Sequence, residues 1–201
     1  MNNTGIIILA AGKSSRLGSA KQLLQFNNKT LLQHVVDEAI ASGAEPIVVV
    51  TGSYAEEVSK IVSQAEIITI YNESWEEGMA SSIATGVQTI RTKYDYINKV
   101  IIAVSDQPFV TSSLFMQLHQ KQSDSGKGMV ACMYSNTLGT PVLFTQKYFG
   151  ELLNLQGDEG AKKIVKANPD DVALIDFPQG NIDIDTISDY QNLLDNQKHV
   201  L

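Results

Sequence analysis

The residues of this chain that could do chemistry are two cations in a glycine- and serine-rich loop and three aspartates far from it in sequence. The loop runs Leu9-Ala10-Ala11-Gly12-Lys13-Ser14-Ser15-Arg16-Leu17-Gly18-Ser19-Ala20-Lys21, directly after the apolar run Gly5–Leu9. A buried strand that ends in small residues and opens into such a loop is a place where phosphates can be held. Gly12 and Gly18 let the backbone turn and approach a ligand closely. Successive N–H groups in the turn can point at one anion, and Arg16 and Lys21 add positive charge. The competing reading is a flexible surface loop with two incidental cations.

Two phosphate motifs are excluded by spacing. Gly12-Lys13-Ser14 has the ending of a P-loop, but that motif needs a glycine where this chain has Ile7, inside the apolar run. The dinucleotide fingerprint G-x-G-x-x-G fails because Gly12 and Gly18 stand too far apart.

The first aspartate, Asp106, follows the run Val100–Ser105 and precedes Gln107-Pro108. In an open parallel sheet, ligands bind beyond the carboxyl ends of the strands. An Asp there, with a proline preventing further pairing, is placed to hold a metal ion; the alternative is a turn-forming or capping Asp. Asp183-Ile184-Asp185 forms the second cluster, and alternation puts both carboxylates on one face of a strand. The alternative is acidic residues favouring the dipole of a following helix, which Thr186 or Ser188 would cap and Leu193-Leu194 would pack. Mg²⁺ takes one or two carboxylates and completes its octahedron with water and substrate phosphates.

These groups need a scaffold. Apolar, β-branched runs recur at Ile6–Leu9, Ile47–Val50, Ile67–Ile70, Val100–Val104, Met129–Met133 and Val172–Ile175. Helical stripes lie between most of them: Leu32/Val36/Ala39/Ile40, Val58/Ile61/Val62 and Met79/Ile83/Val87/Ile90, each read as core packing. Strands alternating with helices imply βαβ units and a mostly parallel sheet covered on both faces. The loop at 10–21 and Asp106 should then emerge on the same sheet edge. Asn27-Asn28 signals a turn before a helix capped by Thr30. Pro141, in Gly139–Phe144, predicts an edge or bulged segment. Without repeats or a linker, residues 1–201 read as one domain.

Asn72–Ile83 opens a further helix, and Gly78, Ser81 and Ser82 offer donors near its N-terminus to an anion or a nucleobase edge; plain capping is the other reading. Trp75, the single tryptophan, could stack on a ring or serve as partly buried packing.

The segment L-A-A-G-x-S-x-R-x-G-x-x-K-x-L-L at 9–24 resembles the nucleotide-binding signature of the MobA-like nucleotidyltransferases, closest to their molybdenum cofactor cytidylyltransferase (MocA-like) branch. The likeness continues through N-x-x-W-x-x-G-M-x-x-S at 72–82, Asp-Gln-Pro at 106–108, Gly157-Asp-Glu-Gly160-Ala-Lys162, and D-I-D-T-x-x-D-Y at 183–190. It implies a single-domain, Rossmann-like three-layer sandwich of the nucleotide-diphospho-sugar transferase type. Leu9, Ala10, Ala11, Gly12, Ser14, Arg16, Gly18, Lys21, Gly78, Ser81 and Ser82 would bind the nucleotide. Lys21, Arg16 and Asp106 would be catalytic, and Asp106 with Asp185 would bind Mg²⁺. Acceptor binding would fall to Gln107, Pro108, Thr140, Gly157, Asp158, Lys162 and Asp183.

The same resemblance implies CTP as donor, a molybdopterin-type phosphate as acceptor, release of pyrophosphate, and a molybdoenzyme as partner. Ala10-Ala11-Gly12 is closer to the cytidylyl branch than the Ala-Gly-Gly of guanylyl relatives. The chain departs from the pattern at Lys162 (usually arginine), Thr140 (commonly histidine) and Ile187-Ser188 (usually Pro-Glu). Other readings are transfer to a sugar phosphate or another small phosphate, and a non-catalytic chaperone that hands the cofactor to a molybdenum hydroxylase.

Composition narrows the class. A chain of 201 residues with 43% hydrophobic and 18% charged residues is an ordinary globular sequence. Its net charge of −7 argues against nucleic-acid binding. No apolar run approaches the roughly 20 residues that span a bilayer, and the start lacks the features of a signal peptide. A single cysteine excludes an internal disulfide and favours a reducing cytoplasm. Cys132 reads as a small buried hydrophobe, and His34, His119 and His199 lack metal-ligand spacing.

Overall fold

A computed structural model describes residues 1, 3–13, 20–62, 66–182, 184 and 186–198. The elements run β1 (Thr4–Ala10), β2 (Gln25–Phe26), β3 (Lys29–Thr30), α1 (Leu31–Ala41), β4 (Ile47–Thr51), α2 (Ala55–Ile61), β5 (Ile67–Tyr71) and α3 (Met79–Lys93). They continue with β6 (Lys99–Val104), α4 (Ser112–Ser125), β7 (Met129–Tyr134), β8 (Thr137–Thr145), α5 (Phe149–Leu153), α6 (Lys162–Ala167), β9 (Val172–Asp176) and α7 (Ile187–Lys198).

Seven strands form one sheet in the order β5-β4-β1-β6-β8-β7-β9. Strands β5, β4, β1 and β6 are parallel neighbours, as are β7 and β9, while β8 runs antiparallel to both β6 and β7. The apolar runs lack polar alternation because helices cover both faces. Ile6, Ile8, Val49 and Ile101 point toward α1, α2 and α4. Ile7, Val50, Ile102 and Val142 point toward α3, α5 and α6. The result is a three-layer, mostly parallel α/β sandwich.

The local signals explain how the elements start. Asn27 and Asn28 both have positive φ, 50° and 63°, the mirror-image turn that suits a two-residue hairpin; β2 and β3 pair across it. Thr30 then caps α1, its hydroxyl accepting the Gln33 N–H at 3.0 Å. At α7, Thr186 and Asp189 cap each other: the Asp189 carboxylate accepts from the Thr186 N–H and hydroxyl at 2.8 and 2.7 Å, and the Asp189 N–H donates back at 3.2 Å. This arrangement is a capping box with Asp in the usual Glu place. It seats Leu193 with Ile184, Phe26 and Leu31 in a third small apolar cluster.

Two expectations change, and a third resolves to one of its alternatives. Pro141 lies in β8, and of the edge or bulged segment expected there it is the bulge that is found, within an inner strand. The ladder passes from Ala131↔Val142 to Cys132↔Gly139, so Thr140 and Pro141 sit in a bulge, where the missing N–H costs no pairing. Met79 heads its stripe but is 45% exposed, because it is the first residue of α3 and lines an open cavity rather than the core. Ile182 and Ile184 belong to no strand, so the strand expected around them is not observed among the described residues.

Candidate active site

Strands β1 and β6 are adjacent and parallel, while the chain goes out from β1 to β4 and β5 on one side and returns to β6 on the other. This is a topological switch point, where open α/β sheets bind ligands beyond the strand carboxyl ends. A cavity of about 620 Å³ lies there, lined by Leu9–Lys13 from the end of β1 and Val104–Asp106 from the end of β6.

Lys21 begins a one-turn 3-10 helix, Lys21–Leu23, and its Nζ forms an ion pair with Asp106 Oδ2. Asp106 is buried and Lys21 half-buried, so the pair sits at the floor of the cavity in a setting that screens charge less than bulk water. The neighbouring side chain fixes the loop: Gln22 Nε2 donates to the Ala10 carbonyl at 3.3 Å. On the other side, the Ser53 N–H donates to the Ala11 carbonyl at 3.2 Å, and the Tyr54 hydroxyl to that of Lys13 at 3.3 Å. The described ends of the loop are therefore anchored on both sides.

The wall opposite comes from the segment before α3. Buried Asn72 donates through Nδ2 to the hydroxyls of Ser81 and Ser82 at 2.8 and 3.0 Å. Its Oδ1 accepts the Ser74 N–H at 3.0 Å. Ser81 returns its hydroxyl to the carbonyls of Ser74 and Gly78, both at 2.8 Å. Ser81 thus shapes the turn and does not line the cavity, whereas Ser82, Gly78 and Trp75 do. Gly78 has φ +105°, and a Cβ there would lie 2.4 Å from the Gly157 carbonyl oxygen, so both conformation and space require glycine. Through this approach Gly157 backs the wall, accepting the Ala80 N–H at 3.0 Å, and Asp158 reaches the cavity.

Thr140 and Lys162 line the far half, with Lys162 Nζ on the Thr137 hydroxyl. Gln107 and Pro108 are buried and do not line it. Gln107 Nε2 donates to the carbonyls of Thr140 and Gly180 at 3.1 and 3.2 Å, tying two wall segments together. Ser14, Arg16, Gly18, Asp183 and Asp185 lie outside the described residues. Ile182 and Ile184, next to those aspartates, pack with Phe109, close in sequence to Asp106.

Lining residues that the sequence left unassigned include Lys13, Gln22, Glu76, Tyr134 and Leu138, and Met79 belongs with them. Their signal is positional: each adjoins a motif residue or, like Tyr134, ends a strand.

The donor set fits a hard divalent cation such as Mg²⁺. Asp106 supplies a buried carboxylate, and among the described residues no three His, Cys, Asp or Glu side chains cluster as a protein-only cage. One carboxylate with water and phosphates suffices for such an ion. Cys132 is fully buried, and burial pushes its thiol up to about 12, which leaves it inert as a nucleophile. His34 Nε2 donates to the Val110 carbonyl at 2.9 Å, and His119 Nδ1 pairs with the Thr4 hydroxyl at 2.9 Å; both hold structure.

Residues 6–172 match the MobA-like NTP transferase domain. The chain belongs to the MobA-like NTP transferase family. It is 25% identical over 147 residues to the molybdenum cofactor cytidylyltransferase of Escherichia coli (strain K12), covering 73% of this chain and 72% of that protein. It is 28% identical over 162 residues to the bifunctional protein GlmU of Francisella tularensis subsp. novicida (strain U112), covering 79% of this chain but 34% of the relative. The chain therefore spans about a third of that relative's length. Among solved structures, the Mycobacterium tuberculosis Rv0371c homologue from Mycobacterium sp. strain JC1 superposes with a TM-score of 0.84 at 25% identity, covering 99% of this chain and 98% of that one. Among the described residues no helix is long and apolar enough to cross a membrane.

Proposed function

We propose that this chain transfers CMP from CTP to the phosphate of a molybdopterin-type acceptor and releases pyrophosphate. The observation that carries the reading is the Lys21–Asp106 ion pair at the floor of a cavity at the switch point. Binding alone would not require a cation and a carboxylate held together there, which weighs against a chaperone that does no chemistry. The likeness to the E. coli cytidylyltransferase over most of both chains supports the donor and the acceptor.

In this reading the N–H groups of Ala10–Lys13, held by Gln22, Ser53 and Tyr54, receive the nucleotide. Trp75 and Ser82 bound its base side. Lys21 neutralises charge on the α-phosphate, and Arg16 contacts the remaining phosphates. An oxygen of the acceptor phosphate attacks the α-phosphorus, the bond to the β-phosphate oxygen breaks, and pyrophosphate leaves with the electron pair. Asp106, with Asp185, would hold Mg²⁺, which supplies charge neutralisation at the phosphates. Positioning and electrostatics carry such a transfer, so no protein nucleophile is required. Thr140, Asp158 and Lys162 face the acceptor half. Residues 1–201 act as one such domain, a reading supported by the packing of Ile184 and Leu193 on Phe26 and Leu31; its setting is the cytoplasm, with a molybdoenzyme receiving the product.

The test is pyrophosphate release by purified protein with Mg²⁺, each NTP in turn, and molybdopterin, its molybdenum-loaded form or a sugar phosphate. Release with CTP and a pterin phosphate supports the reading. Release driven only by a sugar phosphate overturns the acceptor.

A further inference from the structure

Glu76 lines the cavity with Trp75, and among the described residues nothing forms an ion pair or hydrogen bond with its carboxylate. Its backbone is fixed. Trp75–Glu77 form a one-turn 3-10 helix, in which the Trp75 N–H donates to the Asn72 carbonyl at 3.3 Å, the Glu77 N–H to that of Ser74 at 2.9 Å, and the Gly78 N–H to that of Trp75 at 3.4 Å. Three residues complete a turn of such a helix, so neighbouring side chains diverge; Glu76 lines the cavity and Glu77 does not. Trp75 locates this turn along the sheet edge. A Cβ on Gly52, just after β4, would lie 2.7 Å from both Trp75 Cβ and the Ala11 carbonyl oxygen. The root of the indole is therefore wedged against the ends of β4 and β1. Gly139 and Thr140 belong to β8, at the other end of the order β4-β1-β6-β8. Between these two walls lie the ends of β1 and β6, whose loops carry the Lys21–Asp106 pair.

That pair compensates its own charge, so Glu76 is not needed to balance the cavity floor. A carboxylate near incoming phosphates raises the cost of binding them. A ligand that fills the cavity also takes Glu76 out of water, which is costly unless the ligand donates a hydrogen bond to it. An indole next to an acceptor suits a flat ring that carries an exocyclic amine. Cytosine presents such an amine at N4, the group to which Glu and Asp bind in base recognition, where uracil presents a carbonyl oxygen. We propose that Glu76 reads the base of the donor nucleotide: its carboxylate accepts a hydrogen bond from the cytosine amine and repels the uracil oxygen at the same place. The inference rests on the nucleotidyltransferase reading above, which puts the nucleotide at the β1 end of the cavity.

The test is calorimetric titration of CTP and of UTP, with Mg²⁺, into the full chain and into Glu76→Ala, Glu76→Gln and Glu77→Gln. The two nucleotides match in size and phosphates and differ at the base edge. The parent should bind CTP roughly tenfold more tightly than UTP, the worth of one hydrogen bond to a charged group. Glu76→Ala should lose that advantage through weaker CTP binding, with UTP no weaker. Glu76→Gln offers an amide that can also donate to the uracil oxygen, so UTP binding should tighten, a gain that a merely structural role would not produce. Glu77→Gln should keep the parent's ratio, and all unfolding midpoints should match, because the Glu76 carboxylate holds no other element. A CTP-to-UTP ratio unchanged in both Glu76 variants, or equal weakening of both nucleotides, overturns this assignment alone. Preference of the parent for UTP overturns the donor as well, and failure to bind any nucleotide overturns the function reading and this assignment with it.

Discussion

Lys21 Nζ rests on Asp106 Oδ2, which joins the loop after β1 to the loop after β6 across the point where strand order reverses. Each residue neutralises the other, so the cavity floor carries an internally compensated charge pair rather than a bare carboxylate. In the proposed mechanism Lys21 would meet the nucleotide phosphate and Asp106 would hold the cation, so the pair would open without either charge being left alone.

Removing either partner should stop turnover while leaving the fold. Lys21→Ala and Asp106→Asn each lower the rate of pyrophosphate release at least about a hundredfold, the loss typical for one preorganised charge. The double variant falls little further, because the two act as a unit. Circular dichroism and thermal unfolding should match the parent. A single variant with full activity would remove that residue from the mechanism.

Chelation should separate chemistry from folding. Because Lys21 already compensates Asp106, EDTA should abolish pyrophosphate release without lowering the unfolding midpoint, and added Mg²⁺ should restore the rate. A midpoint that drops with EDTA would mean that the fold itself depends on a bound ion.

Much of this arrangement is legible in the amino-acid order. The β-branched runs at Ile6–Leu9 and Val100–Val104 lack polar alternation because both faces are covered, and that alone places Asp106 and the first loop at one sheet edge. Thr30 and Thr186 are readable as caps because their hydroxyls stand at the start of apolar periodicity. What escapes is set by longer-range packing. Met79 continues a helical stripe yet lines the cavity, since periodicity does not say which end of a helix borders a pocket instead of the core. Pro141 reads as an edge or bulge signal, and only the long-range pairing shows that it is a bulge opposite Ala131 and Cys132, inside an inner strand. Tyr134 is one more aromatic in a strand until Gly139 and Gly180 are seen to make room for it. The direct Lys21–Asp106 contact follows from β1 and β6 being neighbours, which no local pattern states.

Acid should attack the molecule first at β9. The Asp171 carboxylate accepts the Gly128 N–H at 2.8 Å and the Tyr148 hydroxyl at 2.7 Å, and Lys147 Nζ pairs with it at 2.7 Å. The Lys147 ammonium, with these donors, holds it well below the usual carboxylate range. A group depressed in the folded state stabilises fully above its unfolded value, near pH 4, and loses that contribution as pH falls further. Thermal unfolding from pH 6 to pH 2.5 should therefore show a steeper acid decline in the parent than in Asp171→Asn. Parallel profiles would place the acid-sensitive group elsewhere.

The α7 capping box should govern local opening. Thr186→Ala removes the hydroxyl that both donates to and accepts from Asp189, at a cost of about 1 kcal/mol. Hydrogen exchange should quicken across residues 187–198 while β1 and β6 keep their protection. Unchanged exchange there would show that Leu193 and Ile184 hold the helix without its cap.

The most direct measurement of the central claim follows the α-phosphorus itself. With α-labelled CTP, Mg²⁺ and molybdopterin, the label should appear in the pterin product in equal amount to the pyrophosphate released, and Lys21→Ala should abolish both. Label recovered only as free CMP, or transferred to a sugar phosphate and never to the pterin, would contradict the account.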